Sequence, residues 1–471
     1  MANQNKEYLI TSHPAKALIV FAVPMIIGNL FQQFYSMVDS IVVGRFVGEG
    51  ALAAIGASTA FTNIFIWAAQ GGSIGASVLT GRYFGAGDHR SMKESAYTTL
   101  TSFLALGILF AFVGLLIGRP VMTAMKTPAD VMGDAMIYLN IYFLGLPFLF
   151  MYNALSSIFN ALGRSGIPLY LLIFSSLFNV VLDILLVTRL HMGVDGVAWA
   201  TLIAQGISAI ISFILFMREM QSYSALKLSD QGRLPDADHP GDCRLLNASG
   251  KRVKCFYKDK LIAQTRIALP SVLQQSTVSI GMMLVQSVVN SFGAQSLAGF
   301  SAAMKIENIV VVPMAAIGNA LSSFTAQNLG AGKEDRVERG YRIGGYGLTA
   351  IFAAVILVIL QLFNRQLAEL FLGSDGSAAA CAAATGYMRF VGCFYYLIGI
   401  KMAADGVLRG AGDMKMFTIA NLANLTLRVI VARTMAPAYG ISWVWYAVPL
   451  GWLINYLIAY LEYRTGRWRT L

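Results

Sequence analysis

Charge is scarce in this chain, and histidine and cysteine are scarcer still. Only 13% of its 471 residues are Asp, Glu, Lys or Arg, and His and Cys number four each. So little charge, against 56% hydrophobic residues and a mean hydropathy of +0.62, excludes an ordinary soluble domain and points to an integral membrane protein with many spans. His13, His89, His191 and His239 all fall in expected loops or termini, which leaves no metal cluster and no intramembrane His to act as a base. Cys243 and Cys255 sit in a hydrophilic loop and Cys381 and Cys393 in an apolar segment, without CxxC spacing or a disulfide framework, and read as inert. The formal net charge of +11 would suggest nucleic acid in a soluble protein. In a membrane protein it reflects Lys and Arg kept on the cytoplasmic side, so nucleic acid is not an expected partner.

Long apolar runs are what the chain does have. About twelve of them are long enough to cross a bilayer, near 17–43, 52–79, 95–118, 133–156, 167–188, 194–217, 262–290, 297–325, 342–363, 381–405, 416–435 and 441–463. The segment after the polar N-terminus is longer than a signal core and lacks a small-residue cleavage site, so it is expected to remain as the first span. Most connections are short and carry turn glycines: Gly48 and Gly50, Gly85 and Gly87, Gly163 and Gly166, Gly410 and Gly412. One is long, polar and basic. The expected organisation is therefore an all-α integral membrane protein with a first lobe at 1–217, a cytoplasmic linker at 218–261 and a second lobe at 262–471. The termini and the loops after even-numbered spans hold most of the Lys and Arg, which places both ends in the cytoplasm of a plasma membrane.

The chain repeats itself at an offset near 245 residues. Thr80-Gly-Arg-Tyr-Phe-Gly-Ala-Gly87 recurs as Thr325-Ala-Gln-Asn-Leu-Gly-Ala-Gly332, Ala22-Val-Pro24 as Ala268-Leu-Pro270, and Leu162-Gly-Arg-Ser-Gly166 as Leu408-Arg-Gly-Ala-Gly412. Each unit has six spans, so the two insert in the same orientation, related by a pseudo-two-fold axis along the membrane normal.

Among the spans, two acids of the first half stand out. Asp39 lies near the far end of span one and Asp183 near the far end of span five, with Asn179 one helical turn before Asp183. An intramembrane acid is a functional-site hypothesis by default, although an Asp near a helix end can also snorkel to the interface. With Thr201 of span six, all three helices place these groups roughly 8–10 Å below the same membrane face, from a rise of 1.5 Å per residue. Two carboxylates, an amide oxygen and a hydroxyl are hard oxygen ligands suited to Na⁺, held chiefly by Asp39 and Asp183, or the acids can share one proton. The second half does not copy this set: Gln286, Arg428 and Asn424 stand at the registers of Asp39, Asp183 and Asn179. Its own charges, Lys305 with Glu307 and Lys401 with Asp405, are spaced to pair within a helical turn.

Twelve spans in two repeats, the Gly-Ala-Gly turns, and the Asp39, Asn179, Asp183, Thr201 set together resemble the multidrug and toxic compound extrusion (MATE) family over nearly the whole chain. Among its branches the likeness is to the bacterial DNA-damage-inducible and staphylococcal-type exporters, whose cation site is this quartet. The branch with a Glu in span seven and an Asp in span ten looks different, since span seven after Pro270 carries no acid. The resemblance implies a secondary antiporter that exports amphipathic, often cationic compounds in exchange for Na⁺ or H⁺, acting as a single chain without a cofactor or catalytic residues. It also implies a bend of span one at Pro24 in some relatives. Phe31, Tyr35, Met151, Tyr152, Met282, Gln286 and Glu307 would suit a substrate cavity of adaptable apolar and aromatic groups. A flippase for lipid-linked sugars of the same superfamily is the alternative. It would want a lumen rich in Arg and Lys, for which only Lys305, Lys401 and Arg428 are candidates.

Several enzyme signatures fail on their surroundings. Gly332-Lys333 lacks the first glycine and the Ser/Thr of a phosphate-binding loop, with Gln327 and Glu334 in their places. Gly71-Gly-Ser73-Ile-Gly75 has the nucleophile-elbow pattern but lies inside an apolar run without a base, where small residues serve close helix packing. Asn247-Ala-Ser249 is a glycosylation sequon on the side expected to be cytoplasmic.

Overall fold

The computed structural model describes residues 7–230, 254–372 and 377–470. These include all twelve expected spans and both flanks of the long connection; His239, Cys243 and the 247–249 sequon lie outside the described residues.

A backbone in hydrocarbon must satisfy its polar groups within its own segment, and the described residues do so with helices alone, as expected for an all-α membrane protein. The first half comprises α1 (Tyr8–Thr11), α2 (Pro14–Phe46), α3 (Glu49–Gly85), α4 (His89–Ala124), α5 (Ala129–Ala161), α6 (Gly166–Thr188) and α7 (Val194–Asp230). The second comprises α8 (Lys258–Asn290), α9 (Ala294–Val310), α10 (Val312–Gly330), α11 (Glu334–Tyr341), a π-helical turn (Arg342–Leu348), α12 (Thr349–Leu362), α13 (Asn364–Leu372), α14 (Ala378–Gly392), α15 (Tyr395–Ala411), α16 (Met414–Tyr439) and α17 (Ser442–Thr465). Among the described residues, nine spans are long and apolar enough to cross a bilayer by themselves, and the bent pairs α9–α10 and α14–α15 bring the number to eleven. With α3, 37 residues long and rich in Gly, Ser and Thr, the twelve expected spans have their helices.

The helices differ from expectation in three respects. α7 and α8 run into the stretch read as linker, to Asp230 and from Lys258. The eighth span is not one helix: it breaks at Val311 with a 41° bend, because Pro313, in the first turn of α10, has no N–H to continue the hydrogen-bond ladder. The tenth span bends by 59° between Gly392 and Tyr395 without a proline. α2, by contrast, continues through Pro24 without a break.

Two compact units emerge from the packing: Phe31–Ala268, and Met1–Leu30 together with Leu269–Leu471. α2 and α8 thus each contribute to both units, and each passes from one to the other close to an internal proline, Pro24 or Pro270. In the unit 31–268, α5 is the hub, packed against α3, α4 and α7. Its Phe143 meets Phe61 and Phe65 edge-on at centroid distances of 5.5 and 5.7 Å, and Phe150 meets Phe110 at 5.5 Å. Ser73 of the failed nucleophile elbow donates to Gln70 O, and Gly75 faces the Gln264 backbone so closely that a Cβ would stand 2.3 Å from its oxygen. That is packing, not catalysis.

In the other unit, Phe300, Tyr387 and Trp445 form an aromatic core around α9, α14 and α17. One end is closed by polar bonds from α11 to both chain ends: Arg336 donates to Leu9 O (3.2 Å) and Ser12 O (2.7 Å), and Arg469 pairs with Glu338. The two termini of this unit therefore lie on one side of it. Lys333, from the phosphate-loop look-alike, donates to Ile10 O at 3.3 Å, and Gly332 takes the left-handed conformation of a helix cap.

α10 and α15 approach almost backbone to backbone. A Cβ on Gly406 would lie 2.2 Å from Gly318 O, and one on Gly410 2.3 Å from Ser322 O, so these glycines, four residues apart, form a small-xxx-small contact. Gly410 was expected in the turn with Gly412; only Gly412 turns, at φ +79°. Gly406→Ala and Gly410→Ala should each lower the thermal midpoint of the purified protein, at a cost of about 1–3 kcal/mol for overpacking. Gly386→Ala, in open space on α14, is the matched control and should not. Equal midpoints for all three variants would refute the close-approach argument.

Candidate functional site: a carboxyl pair among α2, α5, α6 and α7

The four residues singled out as a cation site come together within the unit 31–268. Tyr35 and Asp39 lie one turn apart on α2, and Asn179 and Asp183 one turn apart on α6, so two (i, i+4) pairs face each other. The carboxyl groups of Asp39 and Asp183 are within hydrogen-bonding range of one another. Asp183 is fully buried and Asn179 is 2% exposed.

Asn179 organises the centre. With its amide nitrogen turned toward the acid it donates to Asp183 Oδ2 at 3.1 Å, its oxygen accepts the Thr201 backbone N–H at 3.1 Å, and the Tyr35 hydroxyl is a further partner. The Thr201 hydroxyl donates to Val197 O at 3.0 Å on its own helix, which leaves its lone pairs free to accept. Tyr138 of α5 stands close enough to interact electrostatically with both acids, and it stacks on Tyr142 with centroids 6.3 Å apart. A small cavity of about 10 Å³, bounded by Tyr138, Tyr142, Thr201 and Gln205, adjoins the group and has room for roughly one water molecule.

The donor inventory is short. Asp39 Oδ1 and Asp183 Oδ1 are buried without a hydrogen-bond partner, and no Lys or Arg pairs with either acid among the described residues. Two ionised carboxylates in contact in a low-dielectric setting repel strongly, and either a shared proton or a bound cation removes the repulsion. With the Thr201 hydroxyl nearby and an Asn179 amide that a half-turn would present oxygen-first to the acids, the residues present fit a hard monovalent cation as well as a proton.

Sequence reasoning assigned Tyr35 to a substrate cavity and overlooked Tyr138. Tyr35 could have been recovered from its spacing one turn before Asp39, and Tyr138 stands likewise one turn after Asp134 on α5, but the fourth span carries no acid in its middle to draw attention to that face.

The remaining candidates divide between the units. Phe31, Met151 and Tyr152 are half-buried in the unit of the carboxyl pair, and Met282, Gln286 and Glu307 are half-buried in the other. Glu307 does not pair with Lys305, two residues away and exposed. It accepts from Tyr387, with Arg428 near enough to stabilise it, and Arg428 also reaches Met282 Sδ at 3.7 Å. Lys401 and Asp405 do pair, at 2.7 Å, and Asn421 accepts from Lys401 at 3.2 Å.

Asn179→Leu should retain shape while leaving Asp183 and Tyr35 without their amide, at a cost of about 1–3 kcal/mol. A thermal midpoint in detergent equal to that of the parent protein would overturn this account of Asn179.

The chain as a whole has counterparts among known proteins. The chain is 28% identical to the protein of Bacillus subtilis named "Probable multidrug resistance protein YpnP", over 97% of this chain and 96% of that one. It is 21% identical to a protein of Shewanella oneidensis named "FAD transporter", over 91% and 89% of the two chains. A solved structure described as an outward-facing conformation of a multidrug resistance MATE family transporter shares the fold with a TM-score of 0.85 at 22% identity, over the full length of both chains. Residues 24–185 and 270–434 each match the MatE family, at the offset of the internal repeat, and the chain accordingly belongs to this family of multi-pass multidrug efflux transporters, which are not enzymes.

Proposed function

We propose that the chain is a secondary antiporter that exports amphipathic, often cationic compounds in exchange for Na⁺ or H⁺, with the Asp39–Asp183 pair as its coupling site. The observation that carries this reading is the pair itself: two acids on different helices, in contact, each with a buried unpartnered oxygen and neither with a basic partner among the described residues. Such a pair is a receptor for positive charge. A cation entering from the side of the far helix ends neutralises it, and release to the opposite side restores it; alternation between two states of the protein couples that cycle to the drug. Thr201 supplies a neutral oxygen, Asn179 donates to Asp183 and can present its own oxygen to a cation by a half-turn of its amide, and Tyr35 holds Asn179 in place.

The name of the relative YpnP supports small-molecule drugs as the cargo, while the Shewanella relative is named for FAD. Cationic drugs are the better match here, because the carboxyls of the pair have no basic partner among the described residues, whereas Glu307 is answered by Tyr387 and Arg428.

The test is efflux of a fluorescent cationic dye from proteoliposomes under independently imposed Na⁺ and pH gradients. Asp39→Asn and Asp183→Asn should each abolish gradient-driven export while the protein remains folded and inserted. The double variant should be no worse than either single one, because residues that act as a unit are not additive. Full export by either single variant would remove the pair from the coupling role, and the gradient that drives the parent protein identifies its cation.

A further inference from the structure

A second cavity, far in sequence from the carboxyl pair, has the opposite character. It opens where the π-helical turn meets the C-terminal end of α17, wholly within the unit that contains both chain ends, and measures about 300 Å³. Its walls are arginine and tyrosine: Arg342, Arg464 and Arg469 with Tyr346, Tyr460 and Tyr463.

The charges do not cancel. Arg469 pairs with Glu338, the one acid of the lining, and approaches Glu334 at 3.8 Å. Arg342 and Arg464 are exposed and have no carboxylate partner among the described residues. Two unpaired guanidiniums, each offering a planar set of N–H donors, on one cavity of this size form a receptor for a phosphate-type anion.

The aromatic wall is rigid. Tyr463 packs on Tyr341 (4.5 Å between centroids) and stacks on Trp468 at 5.5 Å, while Trp468 Nε1 donates to Tyr463 O at 2.9 Å. The Tyr346 and Tyr456 hydroxyls bond each other at 3.1 Å. The π-helical turn carries both Arg342 and Tyr346, and such turns, costly in a helix, recur at functional sites.

The surroundings select the source of the anion. Leu453, Leu457 and Leu461, all exposed on α17 at four-residue intervals, form an apolar stripe that leads to Arg464. A soluble phosphate has no use for that stripe, whereas acyl chains do. Tyrosine and arginine at a helix end are the composition of the headgroup layer. We propose that this cavity binds the phosphate headgroup of an anionic membrane lipid, with Arg342 and Arg464 as the phosphate ligands and the α17 stripe as the bed for its chains.

Native mass spectrometry of the purified full chain, titrated with phosphatidylglycerol, phosphatidylcholine or inorganic phosphate, tests this. The parent protein should retain phosphatidylglycerol over phosphatidylcholine by about thirtyfold, from roughly 1 kcal/mol for each of the two basic side chains at a headgroup. R342Q/R464Q should abolish that preference, R342K/R464K should keep part of it, and R365Q, an exposed arginine of α13 paired with Glu369, should leave it intact. Excess inorganic phosphate should not displace the lipid. An undiminished preference in R342Q/R464Q would overturn the site; loss in the lysine pair as complete as in the glutamine pair would overturn the role of charge; and displacement by inorganic phosphate would overturn the assignment to lipid.

Discussion

An acid inside a helix bundle must find its compensation within the protein, because hydrocarbon supplies none. That constraint separates the two halves of this chain. In the second half the buried charges are answered locally: Lys401 by Asp405, Glu307 by Tyr387 with Arg428 nearby, and Arg409 by the amide oxygen of Asn319 at 2.6 Å. In the first half Asp39 and Asp183 are answered only by neutral groups and by each other. A charge arrangement left incomplete by its own chain is completed by something that comes and goes, which suits a coupling site better than a structural one.

The same constraint explains what could be read in the sequence. Because charge is so rare here, an Asp in an apolar run is conspicuous, and helical rise alone placed Asp39, Asp183 and Thr201 at a common depth. The twelve spans were legible for the same reason, as was the repeat, which the two MatE matches reproduce. Features made of neutral residues were not. Tyr138 is marked only by Asp134 one turn before it, at the end of its span, and the contact of Gly406 and Gly410 with α10 depends on which helices become neighbours, which periodicity does not tell. The break at Val311 was available in principle, since Pro313 interrupts the eighth span, but uniform hydropathy hid it.

The repeat itself shows how two copies of one architecture diverge. The counterparts α3 and α5 in the first half are continuous helices, whereas α9–α10 and α14–α15 are bent. Broken helices expose backbone carbonyls and amides that must then be satisfied or put to use. The second half thus combines bent spans with self-compensated charges, and the first combines unbroken spans with an uncompensated pair. The substitution of Asp183 by Arg428 at equivalent register makes the division chemical as well: a cation is drawn to one copy of the position and repelled by the other.

α2 joins these properties on one helix. Its first residues, with Pro24, belong to the unit that holds both chain ends, and its later residues, with Tyr35 and Asp39, to the unit of the carboxyl pair. Pro24 removes one hydrogen bond from the ladder of that helix, which lowers the cost of changing its curvature there. On the proposed antiport cycle, neutralising Asp39 alters the force on the part of α2 that lies beyond the proline, and the helix carries the change along its own backbone. α8, with Pro270 at the corresponding passage, is built the same way but has Gln286 where α2 has Asp39. Of two helices that each pass between the units near a proline, only α2 carries an acid beyond it, so the proposed cycle assigns the cation-driven step to α2 and not to α8.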